Sequence, residues 1–209
     1  KKLGENSDLF AVHAGGQELP MHDPRHTPGL ALAYKYDPTP GKHTTACIDF
    51  MDVGPFKKFI PGTKLPKFKR YKYKTYAKGQ AYISKLYQSI MSLGFCIFGT
   101  WLGRMKVQEN IEAVTGWKLN IDDLIEIGER TQNLRRMFNI RHGITDFHIN
   151  PRAIGKEPQK KGPLKGVTIP IEEMGKQLFK ELDWDPETGI PKKETLERLD
   201  LGFTVQDLP

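Results

Sequence analysis

Asn120-Ile121-Asp122-Asp123-Leu124-Ile125-Glu126-Ile127-Gly128-Glu129-Arg130-Thr131-Gln132-Asn133-Leu134-Arg135-Arg136-Met137-Phe138-Asn139-Ile140-Arg141 is the stretch whose reading decides the fold. Asn120 is a good N-cap, and Asp122 and Asp123 suit the positive start of a helix. Leu124, Ile127, Thr131, Leu134 and Phe138 recur at helical spacing and mark one face, and Gly143 closes the segment. Asn133, Arg135, Asn139 and Arg141 at short helical intervals read as a polar network set against a neighbouring helix or loop. No stretch of clear period two is found anywhere in the chain, so the expected fold class is mainly α, an irregular helical architecture with long Pro/Gly loops.

Working outward, Tyr73 opens a second helical pattern in which Ile83, Leu86, Ile90 and Leu93 form an apolar row. It runs into Gly94-Phe95-Cys96-Ile97-Phe98-Gly99. A shorter helix is expected from Arg104 to Val114, stopped by Gly116. Pro170 opens another, with Ile171, Met174, Leu178, Phe179 and Leu182 on the buried side, and a last short one runs near Glu194 to Leu199. Residues 150–168 read as a long loop. Residues 1–50 read as loop, short helix, loop: Asp23 is the expected N-cap with Pro24 in the first helical position, and Gly29 to Tyr34 a tightly packed segment. Pro55, Pro61 and Pro66 among Phe and Lys make 51–72 an irregular crossing. The expected organisation is a loop-rich segment over 1–72 and a helical unit over 73–209.

With 209 residues, 38% hydrophobic and 27% charged, the composition suits a soluble globular protein with a sizeable core. No run of about 18 apolar residues is present, so no membrane span is expected. No signal peptide is visible, and the opening Lys1-Lys2-Leu3 lacks a Met, as in a fragment. Two cysteines, Cys47 and Cys96, make no disulfide framework and favour a reducing cytoplasm. The net charge of +7 fits a solvated face, an acidic protein partner or a nucleic-acid footprint. The last gains a motif in Phe56 to Tyr76, where Lys57, Lys58, Lys64, Lys67, Lys69, Arg70, Lys72 and Lys74 interleave with Phe59, Phe68, Tyr71 and Tyr73, as in a basic helical nucleic-acid-binding module.

The chemistry-bearing residues crowd the N-terminal region. His13-Ala14-Gly15-Gly16-Gln17-Glu18-Leu19-Pro20-Met21-His22-Asp23-Pro24-Arg25 is followed by Gly29-Leu30-Ala31-Leu32-Ala33-Tyr34 and Gly41-Lys42-His43-Thr44. Histidine is the natural proton carrier near neutral pH. The spacing of His13, His22 and His26 fits no usual zinc pattern, and these imidazoles read equally as loop-bonding groups. Asp23 and Arg25 read as a turn locked by an ion pair, or as a frame for a substrate channel or a pterin. Taken alone, Cys96 is either a buried core thiol or a thiolate ligand to an iron–sulfur cluster whose other ligands lie outside this chain.

These runs resemble the tungsten-containing aldehyde:ferredoxin oxidoreductases. The resemblance covers His13 to Gly202 and includes the Gly128-Glu129-Arg130 to Arg141 helix, Trp184-Asp185, Gly189-Ile190-Pro191 and Thr195-Leu196. It implies the C-terminal helical region of a tungsten (or molybdenum) bis-pterin enzyme that oxidises aldehydes to carboxylic acids and passes electrons through a 4Fe-4S iron–sulfur cluster to ferredoxin or another carrier. On this resemblance Cys96 is a cluster ligand and His43 the catalytic group beside the metal, while the backbone of Ser92, Leu93, Gly94 and Phe95 approaches the pterin. The family's Asp falls at Met91, so no side-chain pterin contact is carried over there, and Thr44 and Thr45 stand where a Lys often follows the His. The family's acidic site residue belongs to its N-terminal half, and Glu18 is not that residue. Implied partners are the N-terminal domain of the same enzyme, the electron carrier, the aldehyde and further copies in a homo-oligomer. The active-site subunit of a class II benzoyl-CoA reductase-type complex is the alternative within the same scaffold.

Overall fold

The computed structural model describes residues 4–52, 60, 62–101 and 105–209. Pro55, Phe56, Lys57, Lys58, Phe59, Pro61 and Arg104, all used in the sequence reading, lie outside the described residues. Among the described residues the α-helices are α1 (Pro28–Tyr36), α2 (Tyr76–Ser92), α3 (Ile97–Trp101), α4 (Val107–Thr115), α5 (Ile121–Arg141), α6 (Ile171–Glu181) and α7 (Lys193–Arg198). The only extended pairing of more than one residue among them is a two-residue hairpin, β1 (His13–Ala14) with β2 (Gln17–Glu18), in antiparallel register His13 to Glu18. The mainly α expectation therefore holds, and this hairpin is too short to carry a period.

The crossing of α2 and α5 organises the molecule. Asn120 caps α5 with a full capping box: its side chain accepts from the Asp122 and Asp123 amides while Asp123 accepts from the Asn120 amide. At Gly128 the two backbones touch, because an ideal Cβ there would stand 1.6 Å from the Lys85 carbonyl oxygen. Only glycine permits this approach.

The buried face of α5 differs from the expected one. Leu134 is 42% and Phe138 62% exposed, while Leu124, Gly128, Glu129, Gln132, Asn133, Arg136, Met137 and Ile140 are buried. The cause is a polar stripe whose Arg136 and Asn133 find partners inside. The Arg136 guanidinium donates to the carbonyls of Gly189, Ile144 and Thr145 at 2.8–3.0 Å and lies 4.2 Å from the centre of the Phe147 ring. Asn133 Oδ1 accepts the Trp184 indole N–H at 2.8 Å. A buried cation with three carbonyl partners avoids the penalty of an unpaired charge.

The remaining helices follow the apolar pattern. In α6, Ile171, Met174, Gly175, Leu178 and Phe179 face inward, against α1 and α2. Every residue of α1 is buried, including Lys35, whose ammonium leaves the core to meet both Glu172 oxygens at 2.7 and 2.8 Å. The main core runs from Ala14 to Trp184, and a smaller cluster joins Met137 and Ile140 to Leu196, Leu199 and Leu201.

One helix start is corrected. Asp23 does not cap a helix at Pro24. Its carboxylate is taken by Arg25, and its carbonyl accepts the His26 and Thr27 amides in a turn. The helix begins at Pro28, whose missing N–H and fixed φ suit the first helical position. Likewise Tyr73–Thr75 is a 3-10 turn leading into α2, and α4 begins at Val107 and ends at left-handed Gly116, as its glycine signalled.

Candidate functional site

The loop carrying His43 is held from below. It leaves α1 at Asp37, whose carboxylate is buried. Asp37 Oδ1 accepts the Thr39 amide at 2.8 Å and Oδ2 accepts from the Gln88 side chain at 3.3 Å. Arg135 of α5 stands 3.9 Å from Asp37, donates to Gln88 Oε1 at 2.5 Å and also donates to the Thr39 hydroxyl. Asn139 donates to the Pro38 carbonyl at 2.8 Å. Burial pushes the Asp37 carboxyl up, against the pull of Arg135 and the Thr39 amide. Arg135 and Asn139 thus serve the structural network that their spacing suggested. Further on, the Gly41 amide returns to the Tyr34 carbonyl and the Thr45 hydroxyl to that of Lys42, which closes the turn presenting His43.

His43 is half-buried and lies against His22, with ring centres 5.1 Å apart and planes at 50°. His22 in turn meets the edge of Phe50 at 5.6 Å. Burial, followed by the nearby charge of His22 and Lys42, holds the His43 imidazole below its ordinary pKa, so it is a neutral proton acceptor at neutral pH. His43 lines a cleft of about 620 Å³ between residues 17–20 and 41–44. His22, Asp23 and Arg25 line a second cleft of about 540 Å³, whose far wall includes Arg152 and Lys160. There Arg25 grips both Asp23 oxygens at 2.6 and 3.0 Å, the locked turn read from the sequence. Burial works against this carboxylate, but the hydrogen bonds and charge of Arg25 hold it below the usual range. His13 pairs instead with His148, ring centres 4.8 Å apart, and its Nδ1 accepts the Gly16 amide. His26 is exposed on the turn.

Cys96 occupies a second station, beyond the end of α2. That helix closes in a Schellman motif: the Phe95 amide returns to Ile90, the Gly94 amide to Met91, and Gly94 takes φ +82°. Leu93 and Phe95 pack against the core, while the Ser92 hydroxyl bonds back to the Ser89 carbonyl. Among the described residues nothing lies within 4 Å of the place a Gly94 Cβ would occupy, so the turn is open. The Cys96 thiol is exposed, not sealed in the core. Cys47 is the opposite case, buried beside Asp49 at 3.9 Å with its thiol pushed well up by burial. Among the described residues no three His, Cys, Asp or Glu side chains form a metal set. Cys96 therefore offers one thiolate, which fits a cluster only if the other ligands come from outside the chain.

The sequence reading missed a buried carboxylate hub. Asp49 Oδ2 accepts the Gly29 amide at 2.7 Å and Oδ1 accepts the Tyr76 hydroxyl at 3.0 Å, which joins the 46–52 segment to α1 and α2. Gln80 adds bonds to the Ile48 amide and the Ala46 carbonyl. No local signal marks Asp49, because its partners are remote in sequence. In the basic stretch, Phe68 packs edge-on to Tyr76, Tyr73 donates to the Thr168 carbonyl, and Tyr71 is 42% exposed. Among the described residues, no helix is long and apolar enough to cross a membrane.

Known proteins resemble the chain along most of its length. The tungsten-containing aldehyde ferredoxin oxidoreductase of Pyrococcus abyssi is 28% identical over 203 residues, covering 92% of this chain and 31% of the relative. Its counterpart from Pyrococcus furiosus is 29% identical, covering 88% and 30%. The WOR-like subunit of an aliphatic sulfonate oxidoreductase, also from Pyrococcus furiosus, is 34% identical over 51% of this chain and 18% of the relative. The chain spans about a third of the length of the first two. In fold it matches the active-site complex BamBC of benzoyl coenzyme A reductase bound to 1,5-dienoyl-CoA, with a TM-score of 0.60 and 16% identity over 99% of this chain and 35% of that one. The family profile described as aldehyde ferredoxin oxidoreductase, domains 2 and 3, matches residues 1–201. With that match over nearly every residue, the chain belongs to the aldehyde ferredoxin oxidoreductase family.

Proposed function

We propose that this chain is the part of a cytoplasmic tungsten-dependent oxidoreductase that walls the substrate site and anchors one corner of its electron exit. The observation that carries the reading is the contrast between the two thiols: Cys47 is sealed, whereas Cys96 is offered to solvent on an open glycine turn. When bound, a tungsten (or molybdenum) bis-pterin would supply the two-electron oxidation of an aldehyde to a carboxylic acid, and a 4Fe-4S cluster the one-electron path to ferredoxin or another carrier. Cys96 contributes a thiolate to that cluster. The backbone of Ser92, Leu93, Gly94 and Phe95, held by the Schellman turn, would approach the pterin. Within the loop-rich segment over 1–72, residues 17–20 and 41–44 wall the cleft, and there neutral His43 takes a proton from the substrate side. Residues 73–209 hold that wall in place through Gln88, Arg135 and Asn139. The rest of the enzyme supplies the other cluster ligands, and the basic surface suits an acidic carrier.

The test uses the full-length protein. Cys96→Ala is expected to lower bound iron and sulfide, abolish the reduced-cluster EPR signal and stop aldehyde-dependent viologen reduction. A Cys96→Ala enzyme with full iron content and an unchanged EPR signal would overturn the reading.

A reductive role, as the active-site subunit of a class II benzoyl-CoA reductase-type complex, rests on Arg152 and Lys160 at the rim of the cleft that His22 and Arg25 line, where a phosphorylated thioester would meet cations. Aldehyde oxidation without dearomatisation of an aryl-CoA ester separates the two.

A further inference from the structure

His22 and His43 sit at the junction of two cavities. Leu19 and Pro20 line both clefts, so this thin segment is what divides them. On one side His43 opens into the cleft beside Gly41–Thr44, and on the other His22 opens into the cleft of Arg25 and Arg152. The two rings meet at 5.1 Å between centres, which leaves room for direct or single-water-bridged proton transfer. His22 is held from two sides, its ring by the edge of Phe50 and its carbonyl by the Tyr34 hydroxyl at 3.4 Å. Among the described residues neither imidazole has a side-chain hydrogen bond to protein, in contrast to His13, whose Nδ1 is occupied by the Gly16 amide. The nitrogens of both rings are therefore available for a proton.

We propose that His22 is a relay residue acting through His43: a proton accepted by His43 in one cleft passes to His22 and leaves through the other. This rests on the role proposed for His43. The demand for such an exit follows from stoichiometry. An aldehyde and a water give a carboxylate, two electrons and three protons; the electrons leave to the low-potential carrier, and the protons need their own path. A half-buried imidazole that keeps its proton cannot serve the next turnover. The charged groups around the pair are Lys42 beside His43, Glu18 across its cleft, Asp23 and Arg25 beside His22, and Arg152, Glu157 and Lys160 on the far wall of the cleft of His22. Asp23 and Arg25 are paired with each other. Burial together with the charge of His22 and Lys42 disfavours a charged His43, which drives the proton onward.

The experiment compares His22→Gln and His43→Gln in the full-length, metal-loaded enzyme, with tungsten and iron content as the check on folding. His43→Gln is expected to lose roughly 100-fold or more in kcat, the range of direct general acid–base catalysis. His22→Gln is expected to lose about 10-fold in kcat with KM unchanged, and to regain most of it as imidazole buffer is added, because small bases replace a missing relay more easily than a missing first acceptor. An independent readout is imidazole NMR of the full chain: His22→Gln should raise the His43 pKa by removing a like-charged neighbour, whatever the activity. If His43→Gln is dead while His22→Gln keeps wild-type kcat at every buffer concentration, the relay falls and the reading of His43 stands. If His43→Gln keeps full activity, both fall. Should His22→Gln lose its metals, His22→Asn takes its place, and single, uncoupled titrations of His22 and His43 in the wild-type chain also overturn the relay.

Discussion

Gly128 and Lys85 touch backbone to backbone: a methyl group on Gly128 would stand 1.6 Å from the Lys85 carbonyl oxygen and 3.1 Å from the Ser89 amide nitrogen. The obstacle is main chain, which cannot swing aside as a side-chain tip can. Gly128→Ala is therefore expected to force α2 and α5 apart and to cost about 3 kcal/mol, the upper end of ordinary overpacking. Urea denaturation measures it. A midpoint within error of wild type would mean that the crossing has slack the geometry does not show.

The strut beneath the His43 loop makes a second prediction. Arg135→Met removes the cation nearest the buried Asp37 carboxylate, for a loss of about 3 kcal/mol, the lower end for breaking a buried pair because Arg135 is partly exposed. Adding Asp37→Asn should restore part of that loss, because the stranded charge is then gone. If the double variant is destabilised by the plain sum of the single effects, the two groups are uncoupled and the strut account is wrong.

Thiol chemistry distinguishes the two cysteines without any cofactor. Iodoacetamide on the native chain should add one carbamidomethyl group, at Cys96, since Cys47 is buried and its thiol is pushed well up. Denatured protein should take two. Mass spectrometry after digestion locates the adducts, and native-state labelling of Cys47 would contradict the packing described.

Asp49 gives a pH dependence whose sign can be worked out. Burial raises its pKa despite the bonds from the Gly29 amide and the Tyr76 hydroxyl. The folded state then binds this proton more tightly than the unfolded state, so the associated stability is present below the ordinary carboxylate pKa and lost as pH rises through the folded value. Asp49→Asn keeps an acceptor but no longer titrates. The stability of the variant relative to wild type should therefore improve as pH rises across that interval and stay level above it. A relative stability that falls with pH would reverse the assignment. Unfolding curves from acidic to neutral pH decide between them.

Where local chemistry sets a boundary, the sequence was readable at most helix ends, Asp23 being the exception. The capping box at Asn120, the glycine stops at Gly116 and Gly143, and the apolar stripe from Ile171 to Leu182 all stand where their residues indicate. What escaped was satisfied polarity. Arg136 and Asn133 look like surface residues to any hydrophobic count, yet they fill the interior because Ile144, Thr145, Gly189 and Trp184 supply partners that lie elsewhere in the chain. Leu134 and Phe138 were assigned inward for the same reason. At the candidate site, composition alone left Cys96 open between core thiol and ligand, and its exposure removes the first. The meeting of His22 with His43 has no local signature, since the segment between them folds back through all of α1.

The hairpin at the start of the chain is stitched to a region far downstream: the Gly15 amide reaches the His148 carbonyl, the Asn150 amide reaches that of His13, and Asn150 also holds the Ala11 carbonyl. During synthesis the histidine-bearing segment therefore emerges long before its anchor. At ribosomal speeds of about 5–20 residues per second, it waits roughly 7–27 s for that partner. The wall of the cleft is thus made well before the residues that secure it, and any premature stop ahead of Asn150 would release a product with its histidines unmoored.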